Sequence, residues 1–273
     1  MDAFEFELTT KKLFKRLKKW LRQPTYRQEC RALRRLKQIP RFTPTATRIL
    51  GVELQLVDAA SFAFQYKEIF QRQIYKFPAQ TPAPRIIDCG ANIGLSVIYF
   101  KRLHPESRIT AFEPDPQIFS VLEENIRQCG YADVELVKKA VWTEAATLEF
   151  LPDGSDGGRM VQMSFDRQRI QVPTVRLADF LNEPIDLLKI DIEGAETSVL
   201  QDCQDKLQHV RHLFVEYHSF EHQPQTLLTI MNILFNAGYR VYIHSHNVSA
   251  QPFDKRKTIS GMDMQLNIFA FRV

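Results

Sequence analysis

The stretch that most constrains this chain is a turn, Arg85 to Leu95, reading RIIDCGANIGL. Ile86 and Ile87 predict a buried strand, and the run from Leu95 to Leu103 predicts a helix. Between them sit Asp88, Gly90, Asn92 and Gly94. Glycine at 90 and 94 permits positive φ and removes Cβ, so the backbone can pass close to a ligand. The helix that follows is expected to aim free N–H groups at the same place. A strand, a glycine turn and a helix in that order predict an α/β chain with a nucleotide-type crevice.

The turn departs from a dinucleotide fingerprint, which needs G-x-G-x-x-G. Here the pattern is D-x-G-x-N-x-G. A pyrophosphate does not favour a carboxylate such as Asp88, whereas a ligand bearing an ammonium or sulfonium group does. S-adenosylmethionine (SAM) is such a ligand. Arg108 to Phe112 reads as the next strand and ends at Glu113, ahead of Pro114-Asp115-Pro116. A carboxylate there is placed to accept ribose hydroxyls. Asp88, Gly90, Asn92, Gly94 and Glu113 are therefore the expected cofactor residues.

Strands are expected near 86–90, 108–113, 133–138, 185–191, 211–217, 239–244 and 266–272, with helices near 93–104, 116–129, 194–207 and 223–237. That alternation predicts a mostly parallel sheet covered on both faces. An extra β excursion is expected from Ala145 to Thr174, around a glycine-rich turn at 154–158. Ligands bind beyond the carboxyl ends of such strands, so the rim can be read from the sequence. Asp191 and Glu193 end or follow the fourth strand, Glu216 and His218 lie at the end of the fifth, and His244 and His246 at the sixth. Trp142, after the third, is a candidate to shield an adenine or simply to fill the core. Glu196 reads as a helix-capping acid. His218 is the expected base, oriented by Glu216 or sharing its proton with Asp191 or Glu193, because an unperturbed imidazole titrates near working pH. The rival arrangement is a divalent ion on Asp191, Glu216 and His218; the metal-free mechanism is the one expected.

DCGANIG (88–94), AFEPDP (111–116), LLKIDIEGAE (187–196) and VEYHSF (215–220) resemble the FkbM family of SAM-dependent methyltransferases. The resemblance runs from about Ala60 to the C-terminus, and IDIEGAE is its most specific part. It implies a class I methyltransferase sheet, Rossmann-like, whose last strand inserts antiparallel beside the fifth. It also implies O-methylation of a small-molecule, sugar or polyketide hydroxyl, with Asp191 serving the cofactor as well as catalysis. A segment ahead of the first strand covers the cofactor in that family, which makes Tyr66 and Glu68 lid candidates. The alternatives are a nicotinamide-dependent oxidoreductase, opposed by Asp88, and a non-catalytic binding protein that keeps the fold.

Outside the resemblance lies a basic segment, Lys11 to Lys37, whose Leu13, Leu17, Trp20 and Leu21 recur at helical spacing. Three parts are expected: a basic helical extension (1–44), a bridging or lid segment (45–84) and a SAM-binding catalytic domain (85–273). The basic helix suits an anionic membrane surface, an acidic partner, a twin subunit of a homodimer, or simply water. No nucleic-acid partner is expected, since no recognition motif accompanies the charge. The overall charge is only +4, and 44% of residues are hydrophobic, as in a soluble globule. No apolar run approaches the ~20 residues of a membrane span. Met1 to Thr10 does not read as a signal peptide, and Cys30, Cys89, Cys129 and Cys203 lack metal-ligand spacing. The expected location is cytoplasmic.

Overall fold

The computed structural model describes residues 23–151, 159–160 (backbone only), 169–246, 248–255 and 258–272. The first amphipathic stretch, with Trp20, and the turn at 154–158 lie outside the described residues. Helix α1 (Pro24–Leu36) opens on a proline at its first position, where the missing N–H costs nothing. A hairpin follows, β1 (Thr45–Ile49) with β2 (Val52–Leu56). Helix α2 (Ala59–Tyr66) starts at Asp58, whose carboxylate accepts from the Ser61 N–H at 2.8 Å. It runs on as a π-helical turn, Lys67–Arg72, and stops at Gln73 in the left-handed region.

The central sheet has seven strands in the order β12 (Arg240–Ser245), β13 (Met262–Phe271), β11 (Val210–Phe220), β10 (Ile185–Ile190), β3 (Arg85–Cys89), β4 (Arg108–Phe112), β5 (Glu135–Val137). The five strands from β11 to β5 are parallel, and β13 inserts antiparallel between β11 and β12. That is the expected class I methyltransferase sheet. Strands β3, β10 and β11 are almost wholly buried, which is why their apolar residues run together instead of alternating. Helices α3 (Leu95–Leu103), α4 (Pro116–Gln128), α5 (Glu196–Cys203) and α6 (Leu227–Asn236) connect them. A smaller sheet, β6 (Ala140–Trp142), β9 (Ile170–Arg176), β7 (Thr147–Leu151) and β8 (Arg159–Met160), forms the excursion beside β5.

Two cores sit on the faces of the main sheet. One joins α3 and α4 to the hairpin and α2, with Leu54, Phe62, Tyr66 and Phe100 at its centre, and it takes in Leu36 from α1. Arg31, Arg34 and Arg35 of α1 are exposed. The other core packs α5 and α6 against β10 and β11. Among the described residues no helix is long and apolar enough to cross a membrane.

Asn125 of α4 joins the hairpin to the glycine turn. Its Oδ1 accepts from Gln55 N–H at 2.7 Å, and its Nδ2 donates to Gln55 O at 3.0 Å and Ile93 O at 2.9 Å. The residue is fully buried. Each orphaned buried polar group costs about 1–3 kcal/mol, so Asn125→Ala should lose at least about 2 kcal/mol, read by chemical denaturation.

Candidate active site

The sheet order reverses between β3 and β10, and a cavity opens beyond their carboxyl ends, as expected for an open α/β sheet. Gly90 forms its floor. Its φ is +87°, and a Cβ there would lie 1.9 Å from the Asp191 carbonyl oxygen, so only glycine lets the two strand ends meet. Gly94 is constrained differently: a Cβ would fall 2.8 Å from Leu122 Cδ1. It is a packing position off the cavity wall, which corrects its expected role as a cofactor contact.

The turn keeps its N–H groups for itself. Gly90 and Ala91 both donate to Phe112 O, Asn92 donates to Glu113 Oε2 at 3.0 Å, Ile93 to Asn92 Oδ1 and Gly94 to Ala91 O. The turn itself therefore offers no spare donor: Phe112 O and Glu113 take the N–H groups of residues 90–92, and Asn92 Oδ1 and Ala91 O take those of 93 and 94. Glu113 lines the cavity, with Asp115 N–H on its other oxygen at 2.9 Å. Burial pushes its carboxyl up to about 8.

Asp88 does not reach the cavity, contrary to the expectation for it. It is fully buried, accepts from Ser96 Oγ at 2.5 Å and lies 3.2 Å from Lys189 Nζ. Lys189 also sits 3.2 Å from Asp191 Oδ2 and donates to Gly90 O at 2.9 Å. Burial opposes its charge, but Asp88 and Asp191 outweigh that and hold its pKa well above the ordinary value. This lysine lines the wall in place of Asp88.

After β10 the chain turns sharply at Glu193 (φ +55°) and Gly194 (φ +102°). A non-glycine residue in that region is strained. Glu196 holds the turn: it accepts from Gly194 N–H at 2.9 Å and Ile192 N–H at 3.3 Å. The same carboxylate lies 2.9 Å from His218 Nδ1. His218 is buried behind Glu193 and off the wall, while Asp191, Glu193 and Glu216 are on it. Burial disfavours the imidazolium, yet Glu193, Glu196 and Glu216 keep the His218 pKa well above its ordinary value. Burial raises Glu193 well above the usual carboxylate range, and burial together with Asp191 raises Glu216 to about 8. Glu216 does not touch His218 directly: Gln265 Nε2 donates to Glu216 Oε1 at 2.6 Å and reaches His218 Nε2 at 3.4 Å.

The remaining candidates divide as follows. Asn92, Glu68 and His246 line the cavity, His246 Nε2 standing 3.3 Å from Glu216. Trp142 packs against the α5/α6 core, and Tyr66 is buried between Phe62 and Phe70; neither is on the wall. His244 lies edge-on to Tyr242 and Phe269 in a separate hollow.

A methyltransferase FkbM domain model matches residues 88–241, more than half of the chain. The chain belongs to the FkbM methyltransferase family. It is 30% identical to Methyltransferase 1 of Beauveria bassiana, over 52% of this chain and 68% of that one. It is 29% identical to the 31-O-demethyl-FK506 methyltransferase FkbM of Streptomyces tacrolimicus, over 63% and 80%. Among solved structures, a methyltransferase FkbM from Methylobacillus flagellatus aligns at 18% identity with a TM-score of 0.48, covering 73% of this chain and just 46% of that longer one.

Among the cavity residues of this FkbM-family chain that sequence reasoning missed are Lys189, Gln265 and Asn267. A signal was available for the first, a lone lysine inside the apolar run Leu187, Leu188, Ile190. Breaking a buried ion pair costs about 3–5 kcal/mol, so Lys189→Met should destabilise the protein by that order at pH 7.5. Carboxylates stripped of their cation take up protons as pH falls, so the deficit should shrink towards pH 5 in denaturation experiments.

Proposed function

We propose that this chain is a SAM-dependent O-methyltransferase acting on a hydroxyl of a small molecule, sugar or polyketide-type acceptor. The observation that carries the reading is the crevice at Gly90, flanked by Glu113 on one side and Asp191 on the other. A cation-bearing cofactor fits it, because the wall is rich in carboxylates and the turn has no N–H groups left over for a pyrophosphate. The same points disfavour a nicotinamide dinucleotide.

Glu113 would hold the ribose through the lone pairs its two backbone donors leave free. Asp191 would hold the amino-acid ammonium, and Phe112, Ile118 and Val141 supply apolar wall for the base. When bound, SAM supplies an electrophilic methyl group. The chain's own task is then to align an acceptor oxygen and accept its proton. Glu193, which faces the cavity, is the better proton acceptor than the buried His218 behind it. Oxygen as the acceptor atom is supported by the names of two relatives, the FK506-type enzyme above and the 2-O-methyltransferase NoeI of Sinorhizobium fredii, 30% identical over 50% of this chain.

Ligand hydroxyls donating to Glu113 favour its charged form. With its carboxyl near 8 in the free protein, Glu113 is mostly protonated at pH 7, so SAM binding should expel a proton. Calorimetry in buffers of different ionisation enthalpy should show that release for the wild type and none for Glu113→Gln. Glu113→Ala should weaken binding by about 1.5–3 kcal/mol per lost charge-assisted bond; unchanged SAM affinity, or preference for NAD, would refute the cofactor assignment. Glu193→Gln should lower turnover by ~10²-fold or more with SAM affinity nearly unchanged.

A further inference from the structure

A second hollow lies between α1 and the β1–β2 hairpin, apart from the site described above. Its floor is aliphatic, with Leu36 and Ile39 on the α1 side and Ile49 and Leu50 on the hairpin side. Its rim is cationic: Arg31 and Arg35 on α1, Arg48 on β1 and Arg102 on α3. One carboxylate, Glu29, lines the hollow beside those four guanidinium groups. Arg102 is partly committed, since it donates to the Leu50 carbonyl. Arg31, Arg35 and Arg48 are exposed and have no carboxylate partner among the described residues. That holds for Arg48 even though Glu53 stands opposite it in the hairpin register. By contrast, Arg41, Arg72, Arg127, Arg169 and Arg176 each hold a carboxylate. The rim is therefore positive without local compensation.

The charge continues in the sequence. No Asp or Glu occurs between Thr9 and Gln28, while seven lysines and arginines run from Lys11 to Arg22, just ahead of α1. Arg34, exposed on α1, adds to the same face. Guanidinium forks bind phosphate oxygens two at a time. An aliphatic floor suits the glycerol and first methylenes behind such a headgroup. An amphiphile with a phosphate head matches both halves of the hollow.

We propose that α1 and the β1–β2 hairpin form a docking face for an anionic phospholipid membrane, whose phosphates are held by Arg31, Arg35, Arg48 and Arg102. Single-stranded nucleic acid fits the face less well, because its bases need aromatic stacking platforms and no aromatic ring lines the hollow. An acidic protein would need carboxylates at fixed matching positions. Lipid phosphates move laterally and so can meet cations spread over α1, β1 and α3. The helix does not insert, since its apolar side is spent on the core through Leu33 and Leu36. Attachment is therefore electrostatic and peripheral, and salt weakens it.

The test is sedimentation of the full chain with vesicles of equal parts phosphatidylcholine and phosphatidylglycerol, with chemical denaturation run in parallel to check that each variant folds. The wild type should sediment with those vesicles, stay in solution with phosphatidylcholine alone, and come off in high salt. Each cation near such a surface strengthens binding about fivefold. The triple variant Arg31→Gln, Arg35→Gln, Arg48→Gln should therefore bind about 100-fold more weakly. Lys138→Gln, Arg169→Gln, Arg240→Gln removes the same charge from exposed positions outside the hollow, and should stay within about twofold of the wild type. Failure of the wild type to sediment with the anionic vesicles overturns the docking face. So does a hollow variant that binds them no worse than the outside variant, which would reduce the attraction to overall charge. Tighter binding of poly(U) RNA than of the vesicles, lost in the hollow variant, would put nucleic acid in place of the membrane.

Discussion

The structure of the cavity depends on one buried ammonium. Lys189 ties Asp88 on β3 to Asp191 beyond β10 and donates to the carbonyl of Gly90. An unpaired charge at that depth would be prohibitively costly, so the three partners and the lysine persist only together. Their geometry brings the two strand ends close enough that Gly90 touches the Asp191 backbone. The absent Cβ at 90, the buried acid at 88 and the lysine at 189 are thus parts of a single device that sets the distance across the switch point.

Much of this was legible in the sequence because it rests on local signals. The strand–turn–helix grammar of residues 85–103 and the apolar runs of β10 and β11 were readable to within one to three residues at their ends, and the antiparallel last strand was foreseen from the family likeness. Glu113, Asp191, Glu193 and Glu216 were placed on the rim by the rule that loops after parallel strands meet there, and they do line it. What the sequence hid was direction. Asp88 and His218 sit at the expected strand positions, but long-range partners turn both away from the cavity: Lys189 and Ser96 hold the first, Glu196 the second. Glu196 read as a helix cap because its nearest sequence neighbours are a helix, and its contact with a residue 22 positions away has no local signature. Ahead of the first sheet strand, the π-helical turn ends at Arg72, where the left-handed Gln73 redirects the chain.

That turn matters to the site. A π-helical turn widens the backbone by one residue and is found mostly at functional positions. Here it brings Glu68 and Ile69 to the cavity wall, while Tyr66, one turn earlier, stays in the core. That segment and the sheet share one hydrophobic cluster, so this wall of the cavity is anchored by buried aromatics.

The distribution of charge and donors separates this site from dinucleotide sites of the same topology. A pyrophosphate needs spare backbone donors, and this turn spends them on Phe112 and Glu113. Burial then raises Glu113 and Glu216 to about 8 and Glu193 well above its ordinary range, so the cavity carries protons on carboxyls that a cationic ligand would ionise. Each carboxylate is held at a pH where a modest favourable contact ionises it. On the proposed reading, the binding of a cationic cofactor and the loss of those protons are therefore linked.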